Sequence, residues 1–147
     1  MTLAVRELHV HDIPAEPKLW AEDEVECLEA GLDVRTVLVG SIERSDEAWV
    51  FEADGVPLVY GGYAILNILA GRVFVWMLGT PEARRFPLAV ARMGRRALSG
   101  MLAKYNDIRV NTHCAHASGQ RWAEWLGFEE HSRFGPWIEY RATKGAE

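Results

Sequence analysis

The stretch DIRVNTHCAHASGQRWAEWLGF, from Asp107 to Phe128, decides the fold. It predicts a strand over Asp107–Thr112, a polar turn, and an amphipathic helix over Ser118–Leu126. Ser118 is predicted to cap the start of the helix, because its hydroxyl can accept a hydrogen bond from an unpaired backbone N–H. Gly127 is predicted to end the helix, because a left-handed residue costs least without a Cβ. The unit is therefore strand, turn, helix and again strand.

The rest of the chain supplies more strands than helices. The other strands are expected at Leu3–His11, Ala48–Ala53, Val56–Leu66, Arg72–Leu78, Phe128–Arg133 and Trp137–Ala142. The other helices are expected at Trp20–Ala30, after the cap residue Asp33, and at Phe86–Tyr105. This order predicts an α+β fold: a mixed, twisted sheet of six or seven strands flanked by about four helices. We expect a single domain over residues 1–142 and a frayed tail over residues 143–147.

Bulk properties narrow the class of protein. A chain of 147 residues fits one domain. The net charge of −5 and the pI near 5.6 argue against nucleic-acid binding, which needs a basic face. Two distant cysteines are typical of a reduced, cytoplasmic protein. The sequence shows no signal peptide and no run that would span a membrane, so no membrane partner is expected.

The order of elements resembles the GNAT superfamily of N-acetyltransferases over nearly the whole chain. Short segments look like a compact GNAT-like group that tailed phages and prophages often encode: residues 23–31, 45–50, 54–57, 75–81 and 121–128. The resemblance implies an acyl-CoA-dependent N-acyltransferase that moves an acetyl group from acetyl-CoA to an amine. It also implies that the strands near Val75 and Val110 are parallel neighbours. A phage-encoded protein would lie in the host cytoplasm or in the virion.

The resemblance also implies where acetyl-CoA would bind. The residues implied are Trp76, Met77, Leu78 and Gly79 for the pantetheine arm, and Thr80, Arg84 and Arg85 for the phosphates. The superfamily loop is usually rich in glycine, whereas residues 80–87 contain none. The arginines offer charge in its place, since a guanidinium fork suits phosphate, or they form an ordinary solvated helix face.

Catalytic candidates follow from the same resemblance and from side-chain chemistry. Ala123 stands where many members carry a tyrosine acid, and His116 stands where an asparagine is common. The candidate general bases are Glu26 and Glu52, and His113 and His116 can titrate near neutral pH. No metal site is expected, because the histidine pairs lack four convergent ligands. Cys114 has no orienting acid or amide, so it is expected to be a buried, small apolar residue.

A second function stays open. The absence of the glycine loop and of the tyrosine favours a non-catalytic GNAT-like module that binds a virion or host protein. Six tryptophans in 147 residues suit an interface as well as a core, and a homodimer is compatible with either function.

Overall fold

Seven strands form a mixed sheet in the computed structural model, which describes residues 1–144. The strands are β1 (Leu3–Glu7), β2 (Glu47–Ala53), β3 (Val56–Asn67), β4 (Arg72–Gly79), β5 (Asp107–His113), β6 (Glu129–Phe134) and β7 (Trp137–Thr143). Their order across the sheet is β1-β2-β3-β4-β5-β7-β6. The α-helices are α1 (Ala21–Glu29), α2 (Val34–Arg44), α3 (Pro87–Lys104) and α4 (Ala117–Leu126). The predicted α+β class, a mixed sheet with four helices, is confirmed.

Strands β4 and β5 form a parallel pair, as predicted. Arg72–Phe74 of β4 lie opposite Asp107–Arg109 of β5 in a parallel ladder. The pairs β1–β2, β2–β3, β5–β7 and β6–β7 are antiparallel. Parallel strands need a crossover connection, and here α3 supplies it.

The chain forms two compact units. The first unit contains Met1–Ala64 and Trp76–Ala91, and the second contains Ile65–Val75 and the chain from Arg92 onward. The core of the first unit lies where α1 and α2 pack on β2 and β3. Its buried members are Leu8, Ile13, Leu19, Cys27, Leu38, Ala48, Val50 and Tyr60. Burial there raises the pKa of the Cys27 thiol to about 11, so this cysteine is an uncharged core residue at neutral pH.

A glycine pair in β3 makes room for two indole rings of the first unit. A Cβ on Gly61 would lie 2.4 Å from the Trp49 ring, and a Cβ on Gly62 would lie 2.9 Å from Trp76 Nε1. The backbone of β2 comes closer still to Gly62, since the Glu47 carbonyl oxygen would lie 2.5 Å from that Cβ. The bulge of the β2–β3 ladder lies elsewhere, between Phe51 and Glu52.

The second unit packs α3 against α4. Gly94 of α3 is the contact point, because a Cβ there would come within 2.8 Å of the Trp122 ring. Ala123 is the buried residue of α4, and Gly127 ends the helix with φ 102°, as predicted. Arg95 stacks on the exposed Trp125 ring, with its guanidinium carbon 3.9 Å from the ring centroid.

Local differences from the sequence predictions have clear physical causes. The first strand ends at Glu7 rather than His11, because Val10–Asp12 turn in a 3₁₀ helix. A second, unpredicted 3₁₀ helix covers Pro81–Arg85. Ser118 is not the cap of α4, since the helix starts one residue earlier and His116 is its N-cap.

Two further expectations concern exposure and the C-terminus. Cys114 is exposed, so the expectation of a buried Cys114 was wrong. Thr143 still pairs with Asp107, and the Lys144 N–H donates to the Asn106 carbonyl at 3.0 Å. The remainder of the predicted tail, residues 145–147, lies outside the described residues. None of the helices within residues 1–144 is both long and apolar enough to cross a bilayer.

Candidate functional site

The candidate cofactor residues lie at the C-terminal end of β4, in the first unit. Trp76 and Leu78 pack against the core of that unit. The Trp76 indole Nε1–H donates to Ser45 Oγ at 2.7 Å, which fixes the ring. The end of β4 is therefore held against the core by Trp76 and Leu78.

Gly79 closes β4 and binds the start of α1 through both of its backbone groups. Its N–H donates to Asp23 Oδ2 at 2.9 Å. Its carbonyl accepts from the Trp20 N–H at 2.7 Å. A Cβ at this position would lie 3.2 Å from the Trp20 ring, so glycine lets the ring approach. The implied pantetheine contact at Gly79 therefore competes with two bonds inside the protein.

Thr80, the residue after Gly79, is hydrogen-bonded to β3. The Thr80 N–H donates to the Leu58 carbonyl at 2.9 Å, and Thr80 Oγ1 donates to the Pro57 carbonyl at 2.8 Å. The side chain is buried. Thr80 thus holds the chain in place where β4 passes into the 3₁₀ helix, and its own N–H is not available for phosphate.

The two candidate phosphate ligands stand exposed on the 3₁₀ helix. The Arg84 guanidinium carbon lies 4.7 Å from the centroid of the Trp20 ring, a cation–π contact. Arg85 pairs with Glu82, with Nη1 2.9 Å from Oε2. Exposed ion pairs contribute little stability, so Arg85 can exchange Glu82 for an anion.

Trp20 is a site residue that sequence reasoning missed. Its indole Nε1–H is buried and meets no hydrogen-bond acceptor among the described residues. A buried donor without a partner is rare in native proteins and is a candidate ligand contact. Only a partner far along the chain, Gly79, places Trp20 here, so no local pattern could have indicated it.

Of the two acidic candidates, Glu52 is held in an ion pair. Its two carboxylate oxygens lie 2.9 and 3.1 Å from Nε and Nη2 of Arg6. Arg6 Nη1 also lies 3.2 Å from Asp12, and these carboxylates raise the pKa of the Arg6 guanidinium. Glu52 is buried on β2, and Arg6 is its cationic partner there. Glu26 is half-buried on α1, one turn after Asp23.

The histidine candidates lie in the second unit, at the turn between β5 and α4. The His116 N–H donates to the His113 carbonyl at 2.9 Å, and the His116 carbonyl accepts from the Gln120 N–H. His113 is buried, its Nδ1 accepts from the Ala115 N–H at 3.1 Å, and its ring meets Trp137 edge to face. His116 is half-buried and lies in the turn at the start of α4.

The strand before this turn also carries buried polar atoms that sequence reasoning missed. Asn111 Oδ1 and Thr112 Oγ1 on β5 are buried and have no hydrogen-bond partner among the described residues. Successive residues of a strand point to opposite faces, so these two atoms lie on different faces of β5.

No protein-family model and no curated protein sequence matches this chain. Solved structures of acetyltransferases match it over nearly their full length. An N-acetyltransferase, PaiA, from Thermoplasma acidophilum in complex with coenzyme A is 15% identical, with a TM-score of 0.70 and coverage of 97% of this chain and 99% of that chain. AAC(6')-Ib in complex with ribostamycin and coenzyme A is 15% identical, with a TM-score of 0.69 and coverage of 99% and 96%.

A third structure is a spermidine N-acetyltransferase chimera of Vibrio cholerae SpeG and hSSAT. It is 12% identical, with a TM-score of 0.68 and coverage of 96% of each chain. At these identities the comparisons establish the fold alone, and it is the fold of GNAT N-acetyltransferases. They do not support the phage or prophage grouping.

Proposed function

We propose that this protein is an acyl-CoA-dependent N-acyltransferase that moves an acetyl group from acetyl-CoA to an amine. The observation that carries the proposal is the end of β4. A rigid strand passes through the anchored Thr80 directly into a 3₁₀ helix with two exposed guanidinium groups, within a fold that this chain shares with acetyltransferases.

The residues at this end of β4 fit an oxygen-rich, anionic ligand. Arg84 and Arg85 offer planar donors for phosphate oxygens. The Trp20 indole N–H is a buried donor without an acceptor, which an oxygen of the ligand would satisfy. Because the Gly79 N–H and carbonyl are both bound within the protein, Trp76, Met77 and Leu78 are the residues left to meet the pantetheine arm.

Acetyl-CoA would supply an activated acyl group as a thioester. The amine nitrogen forms a bond to the acyl carbon, the carbon–sulfur bond breaks, and the sulfur leaves as the thiolate of CoA. The amine must lose a proton in this exchange, and a carboxylate within reach, directly or through one water, accepts it. Holding both reactants in line supplies much of the remaining rate.

Glu26 is the preferred base, and His116 is the second candidate. Glu52 is less suited, because its carboxylate is bound at both oxygens by Arg6 and would lose that ion pair on protonation. Ala123 offers no proton donor, so the leaving thiolate is protonated by water or by a histidine of the β5–α4 turn.

The proposal is tested first by calorimetric titration with acetyl-CoA and CoA. We expect both to bind, and we expect Arg84→Ala plus Arg85→Ala to weaken binding and to flatten its salt dependence. Arg35→Ala, another exposed arginine of the first unit, is the matched control and should bind as wild type. Equal affinity of acetyl-CoA for wild type and the double variant would show that its phosphates do not bind at the 3₁₀ helix.

Transfer is tested with acetyl-CoA and a panel of amines and basic peptides. Glu26→Gln should lower the rate by about 10²–10⁴, the usual loss for a general base, with little change in acetyl-CoA affinity. Glu52→Gln should keep a much larger share of the rate. Full activity of Glu26→Gln across pH 6–9 would contradict the assignment of the base.

A non-catalytic module is the second candidate function, and the same residues favour it. Gly79 and Thr80 use their backbone N–H groups inside the protein, and residues 80–87 lack glycine. Such a module would bind a virion or host protein instead of acyl-CoA. Absence of any heat of binding with acetyl-CoA and CoA would favour it over the enzyme.

A further inference from the structure

The outward face of α1 carries large apolar side chains that are exposed among residues 1–144. Val25 is 49% exposed, Leu28 is 74% exposed, and Leu32, just beyond the helix, is 45% exposed. The opposite face of α1 is buried through Asp23 and Cys27. The helix therefore has apolar side chains on both faces, but only the face with Cys27 packs against the protein.

The exposed residues follow the spacing of a helix–helix seam. Ala21, Val25, Leu28 and Leu32 are separated by four, three and four positions, the alternation of the a and d positions of a heptad. Leu32 is held beside the last turn, because its N–H donates to the Cys27 carbonyl at 3.1 Å after the left-handed Gly31. We call these four residues the α1 stripe.

The flanks of the α1 stripe are acidic. Glu22 and Glu29 lie on one side of it and Glu24 on the other, at the e and g positions of the same heptad. From Leu19 to Val34 the chain has six acidic residues and no lysine or arginine, whereas the whole chain has a net charge of −5. Negative charge is thus concentrated around an apolar seam.

The negative charge beside the α1 stripe determines which kind of molecule can bind there. If the α1 stripe paired with the same stripe of a second copy, glutamates would face glutamates across the seam, which is repulsive. Anionic lipids and nucleic acids are repelled for the same reason. A helix with lysine or arginine beside its apolar residues would place opposite charges along both flanks.

We propose that the α1 stripe docks an amphipathic helix of a partner protein whose apolar seam is flanked by lysine and arginine. The seam would enclose Val25 and Leu28, and the acidic flanks would select a basic partner and fix its register. α1 has nine residues, so the contact is short and belongs to the small, transient class of interfaces.

The test uses the full chain and a labelled synthetic peptide of about three heptads, long enough to be helical. The probe has leucine at a and d and lysine at e and g. One comparison peptide has glutamate at e and g, and a second has the same composition in scrambled order. By fluorescence anisotropy we expect the basic peptide to bind at least about tenfold more tightly than either comparison, and more weakly in about 1 M salt.

The variant Val25→Gln plus Leu28→Gln should bind the basic peptide at least about tenfold more weakly, because the seam loses both apolar side chains. Ile68→Gln plus Leu69→Gln, exposed at the turn between β3 and β4, is the matched control and should bind as wild type. Thermal unfolding of each variant checks that the fold is kept. This readout does not depend on acyl transfer, so the inference and the proposed function can fail separately.

Four results would overturn the inference. The first is no binding of the basic peptide, and the second is equal binding of that peptide by the α1 variant. The third is equal binding of the acidic peptide, which would remove the role of charge. The fourth is a wild-type protein that sediments as a dimer while the α1 variant sediments as a monomer, because a second copy would then cover the α1 stripe.

Discussion

Individual residues set the geometry at the end of β4, and most of their partners are far away in the sequence. The apolar run at residues 73–78 was enough to predict the strand. Its place beside the candidate site was implied only by the family resemblance. The bond from Gly79 to Asp23 joins residues 56 positions apart, and that from Arg6 to Glu52 joins residues 46 apart. Such pairings depend on the packed fold, so the sequence indicated Gly79 and Glu52 without the partners that limit their availability.

At this scale we predict the effect of removing the Asp23 carboxylate. Asp23→Ala leaves the Gly79 N–H without its acceptor beside a buried position, which should lower the free energy of unfolding by about 1–3 kcal/mol. Urea denaturation measures the change. Glu43→Ala, an exposed acid on α2, is the control and should stay within about 0.5 kcal/mol of wild type. Wild-type stability of Asp23→Ala would show that the bond to Gly79 does not hold β4 to α1.

At the scale of elements, the sequence predicted features that depend on neighbouring residues, such as the cap of a helix. The Asp33 cap of α2 accepts from the Thr36 N–H as expected. The 3₁₀ helix over Pro81–Arg85 was not predicted, because five residues are too few to show a period. Met93 and Gly94 are the buried residues of α3, and Gly94, the contact point with α4, has no side chain by which a sequence pattern could signal it.

Two glycines of α3 allow a matched test of that helix contact. Gly100→Ala should raise the free energy of unfolding by about 0.4–1 kcal/mol, because its Cβ meets open space and alanine favours the helix. Gly94→Ala should lower it by about 1–3 kcal/mol, since its Cβ would lie 2.8 Å from the Trp122 ring. Urea denaturation of both variants gives the comparison. An equal gain in both would mean that α3 and α4 are less closely packed at Gly94 than described.

At the scale of the whole molecule, the order of elements predicted more than any motif did. The succession of strands and helices was sufficient for the α+β class, and the family resemblance that rests on it implied the parallel β4–β5 pair. Function is less accessible from the same pattern, because one fold supports many sites. The candidate site departs from the pattern of the family that the sequence resembles, at Ala123 and in residues 80–87, which contain no glycine.

Stability of the molecule in acid provides the last prediction, through an ion network of the second unit. Asp107 lies 2.7 Å from Arg109 Nε and 3.0 Å from Arg72 Nε, and Arg109 Nη1 lies 2.7 Å from Glu139. The hydrogen bonds from Arg109, and then those from Arg72, lower the pKa of Asp107 from its ordinary 3.8 to about 2. The unfolded chain therefore takes up this proton at a higher pH than the folded protein does.

It follows that Asp107 stabilises the fold fully above about pH 4 and loses this contribution, roughly 2 kcal/mol, as the pH falls towards about 2. We expect the difference in free energy of unfolding between wild type and Asp107→Asn to be constant from pH 5 to 7 and to shrink steadily below about pH 4. Urea denaturation across this range measures it. Glu43→Gln, whose side chain is exposed, should differ little from wild type at every pH. A difference for Asp107→Asn that is unchanged down to about pH 2 would mean that the effect is steric, because an ionic contribution must vanish once the carboxylate is protonated.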